Sequence, residues 1–398
     1  MKKGWDVIKL IELCDVFADG DWIEKKDQST NGIRLIQTGN IGNGLFLDRL
    51  SKSRYISKST FTRLRCLEVL PGDCLLSRLP DPVGRSCIIP KTDEKMITAV
   101  DCTIMRFKKN ILAEWFVNYS LSRDYQNKIT EDVSGATRQR ISRSNLGNVE
   151  IPIPTIIEQK RIVGILDKVF ADIAKAKENA EKNLQNASEL FESYLQNVFA
   201  HSGDGWEEKK LGDVCSTGAG GTPLKAKKEY YQGGTIPWLR SGEVSQGEIY
   251  ESEMYITEKG LENSSARLFP SETVLIAMYG ATAGQVGILK FKCSTNQAIC
   301  GILPNINYIP SFIYYCFLSK KDELISQAVG GAQPNISQIK IKNTPIPVLS
   351  KKEQQNVVLK LDEISAKTKK LEAIYQKKLD DLEELKKSIL QKAFNGEL

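Results

Sequence analysis

The chain has 398 residues, 41% hydrophobic and 26% charged, enough for two or three domains with real cores, so disordered and collagen-like classes are excluded. Lys and Arg outnumber Asp and Glu by 55 to 49, a formal charge of +6, so basic residues matter only where they cluster on one surface. No run approaches the roughly 18 consecutive apolar residues of a membrane span, and the opening MKKGWDVIKLIELC carries charge where an apolar leader core would lie, so a soluble, cytoplasmic chain is expected.

In chain order, residues up to the Pro-x-Pro pair at 152 and 154 mix short β-branched or aromatic runs with Gly, Asn and Asp turns, the pattern of a domain with short strands. From Glu158 to Phe199 the only helix breaker is Gly164, so one long helix of about 60 Å is predicted, entered just after Pro154. A second strand-rich segment then leads to Pro345 and Pro347 and a second long helix. The repetition extends to single residues. Gly4, Trp5, Lys9, Leu10 and Cys14 return as Gly205, Trp206, Lys210, Leu211 and Cys215; IRLIQTGNIGNG (33–44) returns as IPWLRSGEVSQG (236–247). The Glu-Gln pairs 158/159 and 353/354 and the endings LQNVF (195–199) and LQKAF (390–394) agree as well. A tandem duplication joined near residue 203 is the reading.

The expected fold is therefore two α/β (α+β) domains in tandem, at 1–154 and 203–347, with helical spacers at 155–202 and 348–398. The apolar seam of the first helix includes Ile173, Ala176, Ala180 and Leu184, with two successive steps of four, which is a stutter. The second helix shows the same spacing at Leu371, Tyr375 and Leu379, followed by Leu382. An antiparallel coiled coil with pseudo-two-fold symmetry is predicted, Ala180 facing Tyr375, Ala176 facing Leu379 and Leu184 facing Leu371. The alternative is that each helix lies on the core of its own half. Extra apolar residues at Leu190, Leu195, Phe199, Leu385, Leu390 and Phe394 are expected to leave surface for partner proteins.

Catalytic signals are sparse. The nine cysteines contain no CxxC pair, and the single histidine, His201, lies beside Ser202 and Gly203 as a solvated linker residue would, so neither a metal site nor a triad is expected. No GxxxxGK[ST] loop is present, and no cofactor is expected in this chain. Asp81, Asp93 and Lys95 form a loose nuclease-like carboxylate and lysine set, absent from the second half.

Residue types that read DNA recur at matched places. The segment 134–145, expected as an exposed loop, carries Arg138, Gln139, Arg140 and Arg143; its copy at 330–343 carries Gln333, Asn335, Gln338, Lys340 and Lys342. Arg pairs bidentately with guanine, Gln and Asn with adenine, and Lys neutralises phosphate. A second pair of loops holds Arg78 and Arg85 against Tyr279, Thr282 and Gln285, and a third holds Gln37, Thr38 and Asn40 against Arg240 and Ser241.

With GWEEKKLGDVC (205–215), IPWLRSGEV (236–244), the repeated Pro-x-Pro and Glu-Gln junctions and the terminal SILQKAFNGEL (388–398), the chain resembles the specificity subunits of type I restriction-modification systems over essentially its whole length. The resemblance implies two target-recognition domains, each reading half of a bipartite double-stranded DNA site, held apart by an antiparallel coiled coil. It implies two methyltransferase subunits that bind S-adenosylmethionine, and motor-nuclease restriction subunits that use ATP. It also implies a non-catalytic chain. A free-standing nuclease using Asp81, Asp93 and Lys95, and a protein-binding scaffold, are the competing expectations.

Overall fold

The computed structural model describes residues 4–133, 139–200, 206–326 and 335–398. Short apolar runs bounded by turn residues become strands, as the pattern predicts. In the first half these are β1 (Asp6–Lys9), β2 (Cys14–Asp19), β3 (Gln28–Ser29), β4 (Ile33–Ile36) and β5 (Arg54–Ile56), followed by helix α1 (Lys58–Leu64). Then come β6 (Cys74–Ser77), β7 (Ser86–Ile88), β8 (Met96–Thr98), β9 (Cys102–Phe107), α2 (Ala113–Ser120), α3 (Arg123–Glu131), α4 (Arg143–Asn148) and β10 (Glu150–Ile153). The long helix α5 spans Ile156–Ala200.

The second half repeats this order with β11 (Glu207–Lys210), α6 (Leu211–Val214), β12 (Thr217–Ala219), β13 (Ile236–Leu239), β14 (Glu248–Ile249), β15 (Tyr255–Ile256) and α7 (Glu258–Glu262). It continues through β16 (Leu268–Phe269), β17 (Val274–Ala277), β18 (Val286–Leu289), β19 (Cys293–Thr295), β20 (Ile299–Ile302), α8 (Pro310–Ser319), α9 (Lys321–Ser326), α10 (Gln338–Asn343) and β21 (Pro345–Val348). It closes on α11 (Lys351–Asn395).

The chain divides into two compact units, one of Met1–Glu181 with Lys377–Leu398, the other of Lys182–Gln376. In the first, the sheet order β2-β9-β6-β7 is antiparallel throughout, with Cys74 opposite Met105 and Ser77 opposite Cys102. A sheet of order β3-β5-β4-β8 adds one parallel pair, β4 with β8, and β1 pairs with β10. The second unit repeats these as β12-β20-β17-β18-β14, β15-β13-β19-β16 and β11 with β21. Antiparallel pairing dominates, so each domain is of the α+β kind.

Each core is built from three pieces of chain. In the first unit, Trp115, Phe116, Tyr119 and Tyr125 cover Cys74, Leu76 and Met105, joined by Ile162 and Leu166 of α5 and by Leu390, Ala393 and Phe394 of α11. In the second, Phe312, Cys316 and Phe317 cover Val274, Ile276 and Ile302, joined by Leu195 and Phe199 of α5 and by Val358 and Leu361 of α11. The expectation that Leu195, Phe199, Leu390 and Phe394 stay open for partners is thereby corrected: the sheet and helix surfaces of the units take them, leaving Leu190 (54% exposed) and Leu385 (46%) outside.

Within the first unit the two long helices run antiparallel. Arg161 Nη2 donates to the Leu398 carbonyl at 2.6 Å, whereas Lys177 Nζ, further along α5, meets Glu383 Oε1 at 2.8 Å. Ile173 and Ala180 are buried; Ala176, Leu184, Tyr375, Leu379 and Leu382 are half-buried. Leu371 is a correction, since it stands 38% exposed while Thr368 is 2% exposed. Buried and half-buried positions of α11 include Leu361, Ile364, Thr368, Glu372, Tyr375, Leu379 and Leu382, so the two successive steps of four fall at Ile364, Thr368 and Glu372 and not at Leu371, Tyr375 and Leu379. Thr368 can occupy the seam because its hydroxyl is satisfied within the helix, at 3.1 Å from the carbonyls of both Ile364 and Ser365.

Candidate nucleic-acid interface

A stretch of irregular chain has to be tied down before it can present a side chain, and both units tie theirs the same way. In the first, Gly84 N–H donates to Ser77 O at 2.9 Å and Ser77 N–H to Arg85 O at 2.9 Å, closing the loop between β6 and β7. Arg78 N–H then donates to Asp101 O at 2.9 Å, and Ile141 N–H to Arg78 O at 3.3 Å, which fastens the segment leading into α4. In the second, Gly284 N–H to Ala277 O (2.8 Å), Ala277 N–H to Gln285 O (2.9 Å), Met278 N–H to Ala298 O (2.7 Å) and Ile336 N–H to Met278 O (2.8 Å) repeat the scheme. Two of the three loop pairs picked out in the sequence are thus neighbours in each unit.

The segment expected as a loop is in part helix. Ser142 caps α4 by accepting from Asn145 N–H at 3.0 Å, and Ser337 caps α10 by accepting from Lys340 N–H at 3.3 Å, so Arg143, Gln338, Lys340 and Lys342 stand on short helices. Gln139, Arg140, Arg143, Asn335 and Lys342 are exposed, and Tyr279 is 38% exposed in a bridge to Asn335. Arg138, Gln333 and His201 lie outside the described residues.

Several candidates serve the fold instead. Arg78, 3% exposed, donates to Val100 O at 2.6 Å and faces Asp19 at 3.2 Å. Arg85, 9% exposed, spends every branch of its fork on carbonyls: Ile41 at 2.7 Å, Leu79 at 2.8 Å, Pro82 at 3.0 Å and Thr38 at 2.9 Å. Desolvation holds both guanidinium groups below the usual arginine range. Arg78 and Arg85 are therefore corrected from base readers to clamps, because a loop between strands leaves buried carbonyls that need donors.

The third loop pair is corrected similarly. Asn40 Oδ1 accepts from Gln37 N–H at 3.0 Å while its Nδ2 donates to Leu47 O at 3.0 Å, so Gln37, Thr38 and Asn40 form a self-capped turn. Arg240 is drawn to Glu253 and Glu243 at the turn that Ser241 opens. Gln338 donates to Thr217 Oγ1 at 3.1 Å; Thr282 O accepts the Gln285 N–H at 3.0 Å. Of the nuclease-like set, Lys95 pairs with Glu68 at 2.9 Å and sits over the Phe61 ring at 4.5 Å.

Sequence reasoning noticed the repeated Glu-Gln pairs without giving them a task. Gln159 is fully buried, accepting from Leu112 N–H (2.9 Å) and donating to Asn110 O (3.2 Å) and Pro154 O (2.9 Å). Gln354 makes the same three bonds, to Ile309 N–H (2.8 Å), Asn307 O (2.8 Å) and Leu349 O (2.9 Å). Each glutamine locks a long helix to its domain, and its repetition at matched spacing was the available signal.

Two like domains on long helices, each offering exposed Arg, Lys, Asn or Gln beside a tied loop, define a class of paired target-recognition scaffold. The family model described as the type I restriction modification DNA specificity domain matches residues 2–182 and again 203–383, and the chain belongs to that family. It is 28% identical over 254 residues to the EcoR124I/EcoR124II specificity subunit of Escherichia coli, covering 61% of this chain and 62% of that one. The MjaIX specificity subunit of Methanocaldococcus jannaschii is 33% identical over 180 residues, covering 43% and 41%, so these two matches span less than two thirds of either relative. The putative MjaX specificity subunit of the same organism matches at 22% over 100% of this chain and 94% of its own length. Among solved structures, a chain of a type I restriction-modification system studied for complex assembly and conformational transition superposes with a TM-score of 0.82 at 19% identity, covering 100% and 99%. The HsdS subunit of Thermoanaerobacter tengcongensis gives 0.64 at 18%, covering 100% and 98%. These likenesses share the fold.

Proposed function

We propose that this chain is the DNA-specificity subunit of a type I restriction-modification complex, each domain reading one half of a bipartite site while the long helices set the spacing and dock the modification subunits. The duplicated loop anchoring carries the reading: Ile141 on Arg78 and Ile336 on Met278 hold two equivalent segments at equivalent places, yet the exposed side chains beside them differ, Gln139 and Arg143 against Asn335 and Lys342. Equal frames with unequal readers suit two half-sites of different sequence. The chemistry would belong to the partners, methyltransferase subunits carrying S-adenosylmethionine and motor-nuclease subunits using ATP.

Methylome sequencing of a host with and without the gene tests the proposal, the expected result being loss of adenine methylation at one bipartite motif. Exchanging residues 134–145 for the matching segment of a relative is expected to alter one half-site and leave the other unchanged. Simultaneous change of both half-sites would overturn the modular reading, and metal-dependent cleavage by the isolated chain would overturn the non-catalytic one.

A further inference from the structure

Four charged residues gather where the first domain presents its recognition segment. Asp19 ends β2, opposite Thr103, whose hydroxyl donates to Asp19 Oδ1 at 3.2 Å. Asp19 Oδ2 faces the buried Arg78 at 3.2 Å, and Asp101 Oδ1 meets Arg140 Nη2 at 3.3 Å. Asp101 and Arg78 are also joined through the backbone, and Arg78 O receives Ile141 N–H, one residue past Arg140. The second domain keeps every backbone link and discards every charge. Ala219 takes the place of Asp19 at the end of β12, Met278 that of Arg78, Ala298 that of Asp101 and Asn335 that of Arg140. Since the uncharged version holds the same backbone frame, the frame itself does not require the ion pairs.

Arg140 differs from the others in its freedom. Its side chain is 45% exposed and its Nη2 meets Asp101 at 3.3 Å, longer than a tight charge-assisted hydrogen bond. Such a half-exposed contact is weak, and exchange for another anion is therefore easy. If Arg140 leaves, Asp101 still lies within the field of Arg78, so no carboxylate is stranded. A base contact asks for a guanidinium whose orientation is locked by neighbours, whereas a phosphate asks mainly for charge.

We infer that Arg140 is a phosphate-contacting residue held in reserve by Asp101, with Asp19 and Arg78 as positioning residues that fix its seat, and that the second domain has no such device at this place. The inference rests on the DNA-reading role proposed above.

The test uses the complete modification complex and a duplex bearing the motif found by methylation mapping, with affinity measured across salt concentrations. Arg140→Gln is expected to reduce the slope of log affinity against log salt by about 0.9, which weakens binding about eightfold at 0.1 M salt relative to 1 M. Arg140→Lys is expected to restore both, because a phosphate accepts either cation, while a bidentate base contact does not. Asp101→Asn is expected to tighten binding about two- to fivefold at low salt by removing the competitor. The set of methylated sites should stay the same in all three. An unaltered slope with relaxed preference in one half-site would make Arg140 a base reader and overturn the inference; an unaltered slope and affinity in Arg140→Gln would remove Arg140 from the interface. In either case the wild-type complex still retains its duplex, whereas failure of the wild type to retain any duplex would defeat the proposed function itself. Because Arg140 is half exposed, its variants leave the core intact.

Discussion

At the scale of single residues, the buried glutamines are the clearest structural investment. Each, itself fully buried, satisfies one N–H and two carbonyls at a helix entry. Gln159→Ala or Gln354→Ala would leave those groups unpaired, and each is expected to cost about 2–4 kcal/mol, read as a lower urea midpoint. The cysteines give a second residue-scale expectation. All nine are buried, and burial, which disfavours the thiolate, pushes Cys14, Cys87, Cys102, Cys293, Cys300 and Cys316 up to about 12. Iodoacetamide at about pH 8 should therefore label none of these six in the native protein and all of them in urea, as counted by mass spectrometry. In the unfolded chain the same thiols ionise near the ordinary value of 9.0, before the folded ones do, so stability is fully present below about pH 9 and falls as pH rises from there toward 12.

Between elements, the two domains solve one packing problem with opposite choices. In the first, the small partner is Gly147 of α4, whose added Cβ would come within 3.3 Å of Ile11 Cβ and of the Phe17 ring. In the second, the small partner is Gly212 of α6, and the large one is Lys342 of α10, whose Cβ would lie 3.2 Å from an added Cβ. Ile11 and Gly212 hold matching positions of the repeat, as do Gly147 and Lys342, so size complementarity has been kept by exchange. This places the aliphatic part of Lys342 in the packing and leaves only its ammonium for solvent or phosphate. Gly147→Lys is expected to destabilise the first domain by about 1–3 kcal/mol through overpacking, and Ile11→Gly added to it to recover part of that loss. Denaturant unfolding of the single and double variants, compared at constant slope, checks it.

On the scale of the molecule, each compact unit draws on a helix end that the sequence assigns to the other repeat. Phe394 closes α11 yet packs against Trp115 at 4.9 Å and Tyr119 at 5.1 Å in the first unit, while Phe199 closes α5 and packs on Phe312 at 5.7 Å in the second. Phe394→Ala is expected to destabilise the first unit by about 3–5 kcal/mol. Hydrogen exchange should then rise in α2 and α3, with α8 and α9 unchanged; Phe199→Ala should show the reverse. Equal effects on both units from either variant would contradict the division.

Much of this was legible in the amino-acid order alone. Duplication, the two long helices, the strand-rich domains and the family resemblance all follow from local patterns, namely residue spacing, proline and glycine placement, and turn chemistry. The Glu-Gln pairs and the terminal Phe199 and Phe394 were visible as repeats, because selection for one contact in two copies leaves the same letters twice. What the order could not supply was which polar residues face inward. Arg78, Arg85 and Arg140 look alike in sequence, but the carbonyls of Ile41 and Thr38, distant along the chain, join those of nearby Leu79 and Pro82 to turn Arg85 into a clamp, and Val100 with Asp19 does the same for Arg78. Leu371 yields its place on the seam to the half-buried Glu372, while Thr368 stays buried because a hydroxyl satisfied by its own helix carries little penalty on burial. Sequence periodicity thus determined which elements form and that they form twice; tertiary structure alone decided which cations stay exposed, because burial and hydrogen-bond satisfaction are set by residues brought together only when the chain folds.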